Sequence, residues 1–288
     1  MGSSLRLGLG LSFAALVALP PVPAAAQVES RWFPRVEPFQ PLIATPREVQ
    51  VRASFVYADR PMDDSEPLYE GRNIEAEVAV GHRLEIYRFD GGSTPARAAT
   101  IGIEMGIFSR FFMEAREKDL INSDFRIGFP FSVRSGAWES RITLRHVSSH
   151  LGDDYFGRFP EDLFGQTSKD GFEGLLARRF GESVRLYVGG DANFHTNEEM
   201  SRAGVRFGGE WEPVGSGNDN GSWPVFATDI EWASFSRAWG ATLVGGMAFR
   251  INGRRIRLEA RARLGSTPMR YFRDADETFF GLGFALDL

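Results

Sequence analysis

The feature that most constrains this chain is a two-residue alternation of apolar and polar side chains, repeated in strand-length segments up to its last residue. Ile256, Leu258, Ala260, Ala262 and Leu264 interleave with Arg255, Arg257, Glu259, Arg261 and Arg263. The same beat sets Val49, Val51, Ala53, Phe55 and Tyr57 against Glu48, Gln50, Arg52 and Ser54. It sets Ile101, Ile103, Met105 and Ile107 against Thr100, Gly102, Glu104 and Gly106, and Phe125, Ile127, Phe129 and Phe131 against Arg126, Gly128 and Ser132. Successive side chains of a strand point to opposite faces, so each segment has one apolar and one polar face. Counted between turn signals, there are about twelve such segments. The chain is expected to be all-β.

Alternation fits a membrane barrel and a soluble β-sandwich alike, because the two differ only in where the apolar face points. Here the polar faces carry arginines, acids and glycines, which suits a narrow lumen closed by ion pairs. The chain has 25 Phe and 6 Trp, and Trp138, Trp211 and Trp232 fall near predicted strand ends, where interfacial girdles lie. Mean hydropathy is −0.22 and no long apolar segment follows residue 26, so insertion must use strands. At the C-terminus Phe280, Leu282, Phe284, Leu286 and Leu288 share one face. This resembles the C-terminal β-signal of outer-membrane barrels, with Leu where that pattern ends in Phe. The expected fold is an antiparallel transmembrane β-barrel of about 12 strands, with a periplasmic β-sandwich as the alternative.

The N-terminus reads as a secretory signal peptide over residues 1–26. Arg6 is its positive start, Leu7 to Leu19 its apolar region, and Ala24-Ala25-Ala26 the small-residue cleavage site before Gln27. Pro20, Pro21 and Pro23 leave the apolar run too short for a membrane helix. Residues 27–47 are expected to form a periplasmic arm or a plug, and residues 48–288 the barrel. With no cysteine, neither disulfides nor thiolate metal sites enter. A net charge of −5 argues against nucleic acid as a partner. The expected location is the bacterial outer membrane. The expected partners are its lipids, lipopolysaccharide and, during biogenesis, the barrel assembly machinery.

With both termini in the periplasm, hairpins at Ser135-Gly136, Phe180-Gly181 and Asn252-Gly253 face inward, and residues 59–72, 109–121, 149–170 and 265–277 form outward loops. Residues 212–223 fall on the periplasmic side although they are long. No cofactor is expected. Two acidic loops, Asp63-Asp64-Ser65-Glu66 and Arg273-Asp274-Ala275-Asp276-Glu277, carry the ligand chemistry for Ca²⁺, and loops are ordinarily charged in any case.

One polar constellation stands out: His146-Val147-Ser148-Ser149-His150-Leu151-Gly152-Asp153-Asp154. Trp138, Ile142 and Leu144 define the lipid face of this strand, and continuing by twos puts His146, Ser148 and His150 on that face. Polar groups there are costly unless they lie at the outer interface, which is where an outward strand delivers them. A plain polar strand end is one reading. A metal site of His146, His150, Asp153 and Asp154 is another, although histidines at i and i+4 suit a helix better than a strand.

The arrangement also resembles two families of outer-membrane acyl hydrolases, the phospholipase A barrels and the lipid A deacylases. Both carry a His-x-Ser pair on a lipid-facing strand and an amide or carboxylate on a neighbouring strand. The resemblance implies Ser148 as nucleophile, His146 as general base and a carboxylate such as Glu173, or Asp153 or Asp154, orienting the imidazole. Those families follow the serine with Asn-Gly-like residues, whereas Ser149-His150 follow here, and their third member falls where this chain has Pro160. A broader resemblance links Pro41-Leu42-Ile43-Ala44-Thr45-Pro46-Arg47-Glu48 and Ser148-Ser149-His150-Leu151-Gly152-Asp153 to the bacterial domain-of-unknown-function family 1207, from about Pro41 onward. It implies one shared architecture and no activity. Three functions compete: an envelope protein of unresolved role, a lipid acyl-ester hydrolase, and a narrow channel. Arg-rich inner faces disfavour a wide pore.

Overall fold

In a computed structural model, strands β2 (Val51–Arg60), β3 (Gly71–Arg88), β4 (Arg97–Phe112), β5 (Leu120–Ser135), β6 (Trp138–Leu151), β7 (Thr167–Phe180), β8 (Val184–Thr196), β9 (Ala203–Trp211), β10 (Ser222–Ala233), β11 (Trp239–Ile251), β12 (Arg254–Gly265) and β13 (Thr278–Asp287) pair in order. Every pairing is antiparallel, and β13 closes onto β2. The result is a closed 12-strand barrel, which excludes the sandwich. A two-residue strand β1 (Arg31–Trp32) adds to the end of β3. The structure describes residues 31–34, 37–60, 71–89, 97–153, 167–196, 202–213, 221–234, 236–251, 254–269, 271–272 and 275–287. Residues 1–26, expected to be a signal peptide, Asn252-Gly253, the Asp63 to Glu66 loop, Asp154, Pro160, Arg273-Asp274 and Leu288 lie outside them. Among the described residues no helix is long and apolar enough to cross a membrane.

The alternation sorts the side chains as the barrel requires. Leu258 is 55% exposed and its neighbour Arg257 only 1%. Phe55, Ile101, Phe129, Leu186, Phe226, Leu282 and Phe284 are likewise exposed on the outer face. That band would be a large liability in water and is the proper surface in lipid. Trp138 and Trp239 open β6 and β11, and Trp211 ends β9, all on the outer face. Arg178 stacks on the Trp138 ring at 5.2 Å. At the end of the barrel where β2 starts and β13 stops, turns are tight. Ser135 pairs with Trp138 across Gly136 at φ 59°, and Phe180 with Val184 across Gly181 at φ 63°. Glycine reaches these left-handed angles without a Cβ clash. Residues 212–221 connect β9 to β10 at this same end.

The alternation over Glu48 to Gln50 does not make strand. Glu48, Val49 and Gln50 are all buried, at 3%, 4% and 4%, so β2 begins at Val51. Residues 37–50 instead run inside the ring of strands. Phe39 lies between the Arg141 and Arg185 guanidiniums, at 4.8 and 5.5 Å from its ring centre. Arg185 donates to the Gln40 and Pro41 carbonyls, and Arg261 to those of Ile43 and Ala44. Thr45 donates to Asp229 at 2.9 Å, and Glu48 accepts from Arg83 at 3.0 Å and Arg141 at 2.8 Å. These partners come from β3, β6, β8, β10 and β12, so the segment is gripped from all round the wall. Arg47 reaches Pro268 O at 3.0 Å and Asp124 at 2.9 Å. Beside that contact, Met269 and Phe272 of the β12–β13 connection pack on Ile121.

Candidate functional site

Strand β6 carries the site because its inner face is clamped. Arg141 binds Glu48, and Ser149 donates to Asp124 on β5 and accepts from Asn122 at 3.0 Å. Asn122 also donates to the His150 carbonyl at 2.8 Å. With Arg141, Thr143, Arg145, Val147 and Ser149 turned inward and buried, His146, Ser148 and His150 stand on the outer face. This is the parity that the alternation along β6 predicts. Successive outward residues lie about 6.8 Å apart along a strand.

The register of β6 against β7 adds what the sequence did not reveal. His146 faces Asp170 and Ser148 faces Ser168 across the pair. His146 Nδ1 and Asp170 Oδ1 are 2.8 Å apart, and both side chains are part-exposed on the outer face. The imidazole is thus held through Nδ1, leaving Nε2 on the other side of the ring.

Glu173, expected to orient the imidazole, is turned the other way. It lies in the lumen, 2.9 Å from Arg126 and 3.4 Å from Arg145, in a chain of buried ion pairs running through Glu104 and Arg83 to Glu48. The reason is parity: Asp170 shares a face with Phe172 and Leu176, and Glu173 does not. An acid in phase with lipid-facing Phe172 and Leu176 was the signal available in the sequence. Asp153 is exposed at the end of β6, and Asp154 lies outside the described residues. Among the described residues no group of three or more His, Asp or Glu is arranged to hold a metal ion.

A third histidine also reaches this face. Between β7 and β8 the register slips, with Asp170 opposite His195 and Gly171 opposite Asn193. The extra residue leaves both Phe194 and His195 exposed outward, as a β-bulge does when it re-aims a side chain. A Cβ on Gly171 would lie 2.4 Å from Asn193 Oδ1 and 2.5 Å from Ala192 O, so the close approach of β7 to β8 requires glycine. The outer face at this height therefore carries Ser148, His150, His146, Ser168, Asp170 and His195 on three neighbouring strands, above the apolar rows of Leu144 and Phe172.

A closed antiparallel barrel with an apolar outer belt, aromatic strand ends and a polar, ion-paired lumen has the architecture of the outer-membrane barrels. The chain belongs to the family described as protein of unknown function DUF1207, whose model matches residues 21–285. No curated protein matches it in sequence. Among solved structures it is similar to outer membrane phospholipase A from Escherichia coli, at 12% identity and a TM-score of 0.56, covering 83% of this chain and 90% of that one. It is also similar to the calcium-bound outer membrane phospholipase dimer of Salmonella typhi, at 11% identity and a TM-score of 0.55, covering 86% and 94%. At these identities the likeness is one of fold. Such neighbours suggest an outer-membrane location.

Proposed function

We propose that the protein is an acyl-ester hydrolase of membrane lipids, with Ser148 as nucleophile, His146 as general base and Asp170 as the residue that orients it. The observation that carries this reading is the 2.8 Å contact of His146 Nδ1 with Asp170 Oδ1 on the lipid-facing side, with Ser148 next on the same face. A carboxylate on Nδ1 fixes the tautomer in which Nε2 is free to take a proton. Ser148 Oγ attacks the ester carbonyl carbon while Nε2 accepts its proton. The tetrahedral intermediate then expels the alcohol, which leaves with that proton. Water repeats the sequence on the acyl-enzyme, releasing the fatty acid and restoring Ser148. An ester at the membrane interface meets the site from the bilayer side with no need to enter the lumen. Two neighbours in fold are outer membrane phospholipases, which agrees with the reading.

A channel is disfavoured by what fills the lumen: residues 37–50 and the buried arginine and acid pairs. The deciding experiment incubates purified protein with phospholipid and with lipid A and measures released fatty acid. Wild type is expected to hydrolyse one of them, and Ser148→Ala and His146→Ala, shown to be folded, to lose nearly all turnover, since such residues act as a unit. Equal rates in all three would overturn the proposal.

A further inference from the structure

Acyl transfer at Ser148 needs more than a nucleophile and a base. When Oγ adds to the carbonyl, negative charge develops on the carbonyl oxygen, and donors aimed at that oxygen supply much of the rate in such enzymes. Strand β6 leaves few backbone candidates, because its amides are engaged with β5 on one side and β7 on the other. Among the described residues, the donor is then to be sought in a side chain on the outer face near Ser148.

The three outward imidazoles at this height occupy three different positions. His146 is engaged by Asp170. His195 stands beyond Asp170 on β8, about 10 Å from β6 across two strand spacings, on the side away from Ser148. His150 is the next outward residue after Ser148, so the serine sits between His146 and His150 on one face. Its ring nitrogens have no hydrogen-bond partner among the described residues. Its ring is not loose: Phe125 on β5, whose register partner is Ser148, holds it edge-to-face, with centroids 5.5 Å apart and planes at 78°. Asn122 fixes the His150 carbonyl from the inner side. The serine is therefore flanked by one imidazole that a carboxylate orients as a base, and one that an aromatic ring steadies and that no acid among the described residues engages.

From this we infer that His150 is a catalytic residue, whose ring N–H donates to the oxyanion formed when Ser148 attacks an ester carbonyl. The inference rests on the hydrolase reading and adds to it the group that stabilises the intermediate. No proton is transferred at His150. It donates a hydrogen bond as the carbonyl oxygen gains charge and weakens that bond as the carbonyl re-forms, whereas the proton of Ser148 travels only through His146. An imidazole with a carboxylate on its far nitrogen would serve less well, because its proton traffic is already committed.

The test compares wild type, His150→Ala, His150→Gln and, as a control on the far part of the outer face, His82→Ala. Two readouts are used: kcat and KM for a soluble aryl ester and a phospholipid, and the rate at which a fluorophosphonate labels Ser148. The second needs no knowledge of the natural lipid. His150→Ala is expected to lower kcat and the labelling rate by about 10²–10³-fold, the usual effect of removing one oxyanion donor, with KM nearly unchanged. His150→Gln, which keeps an N–H donor, should regain part of that loss, and His82→Ala should match wild type. A rise in KM with kcat and labelling intact would make His150 a headgroup contact and overturn the inference, leaving the hydrolase reading standing. So would a His150→Ala protein as active as wild type. A wild-type protein that neither turns over esters nor is labelled at Ser148 would remove both.

Discussion

Asp170 and Glu173 lie three residues apart on β7 and meet opposite surroundings. The first is part-exposed on the outer face against His146, and the second is inside the lumen against Arg126 and Arg145. Substitution should separate them. Asp170→Ala is expected to cut kcat about 10³–10⁴-fold by releasing the His146 ring, with little effect on unfolding. Glu173→Gln should leave turnover per folded molecule near wild type. It should cost about 3–5 kcal/mol of stability, because a buried ion pair loses one partner. Ester hydrolysis and urea unfolding of the refolded proteins measure both effects, and the opposite assignment of losses would return Glu173 to the site. The outward placement of His146 and Ser148 was legible because parity within one strand is written in the sequence. Their partner was not, because the register of β6 against β7 is set by packing across a long connection, and side-chain spacing does not encode it. His195 was hidden for a further reason: a bulge changes the parity midway along β8.

At the scale of the strand, β12 shows why the pattern determines a barrel. Arg257, Glu259, Arg261 and Arg263 form a buried ladder with Asp287, Gln50, Thr242 and Glu231, while Leu258 and Leu264 face outward. Two substitutions of similar size in energy should differ in where they act. Leu258→Arg sets a charge against lipid, at about 2–4 kcal/mol near mid-depth. Arg257→Leu takes from Glu259 and Asp287 one of the two guanidiniums that each contacts and removes the donor to Gln50 Oε1, at about 1.5–3 kcal/mol. Stability measured in lipid vesicles should fall for both, whereas transfer to detergent should relieve Leu258→Arg and leave Arg257→Leu impaired. A Leu258→Arg defect of equal size in both media would mean that this face does not meet lipid. The strands and their faces were readable in advance since a period of two survives any register. The start of β2 was not, because Glu48, Val49 and Gln50 keep the beat but are drawn inward by Arg83, Arg141 and Arg257.

At the scale of the molecule, the barrel is filled rather than hollow. A ring of twelve strands is wide enough to need filling, and here the filling is residues 37–50 together with side chains that reach in from β3, β6, β8, β10 and β12. The ion pairs add little net stability, since desolvation offsets most of their attraction, yet each fixes a strand against its neighbours and so fixes the outer face. The chain Glu48, Arg83, Glu104, Arg126, Glu173 ends on β7 opposite Thr143, three residues along the strand from Asp170. From this follows a test of the whole architecture in planar lipid bilayers. Wild type is expected to give no steady ion conductance. A variant whose residues 37–47 are replaced by a Gly-Ser stretch of equal length should either conduct or fail to assemble, because the plug and the wall share their hydrogen bonds. Steady single-channel currents from wild type would show that ions pass the plug, and the lumen would then be a conduit in its own right. A silent wild type would agree with a lumen closed by residues 37–50 and the ion pairs around them.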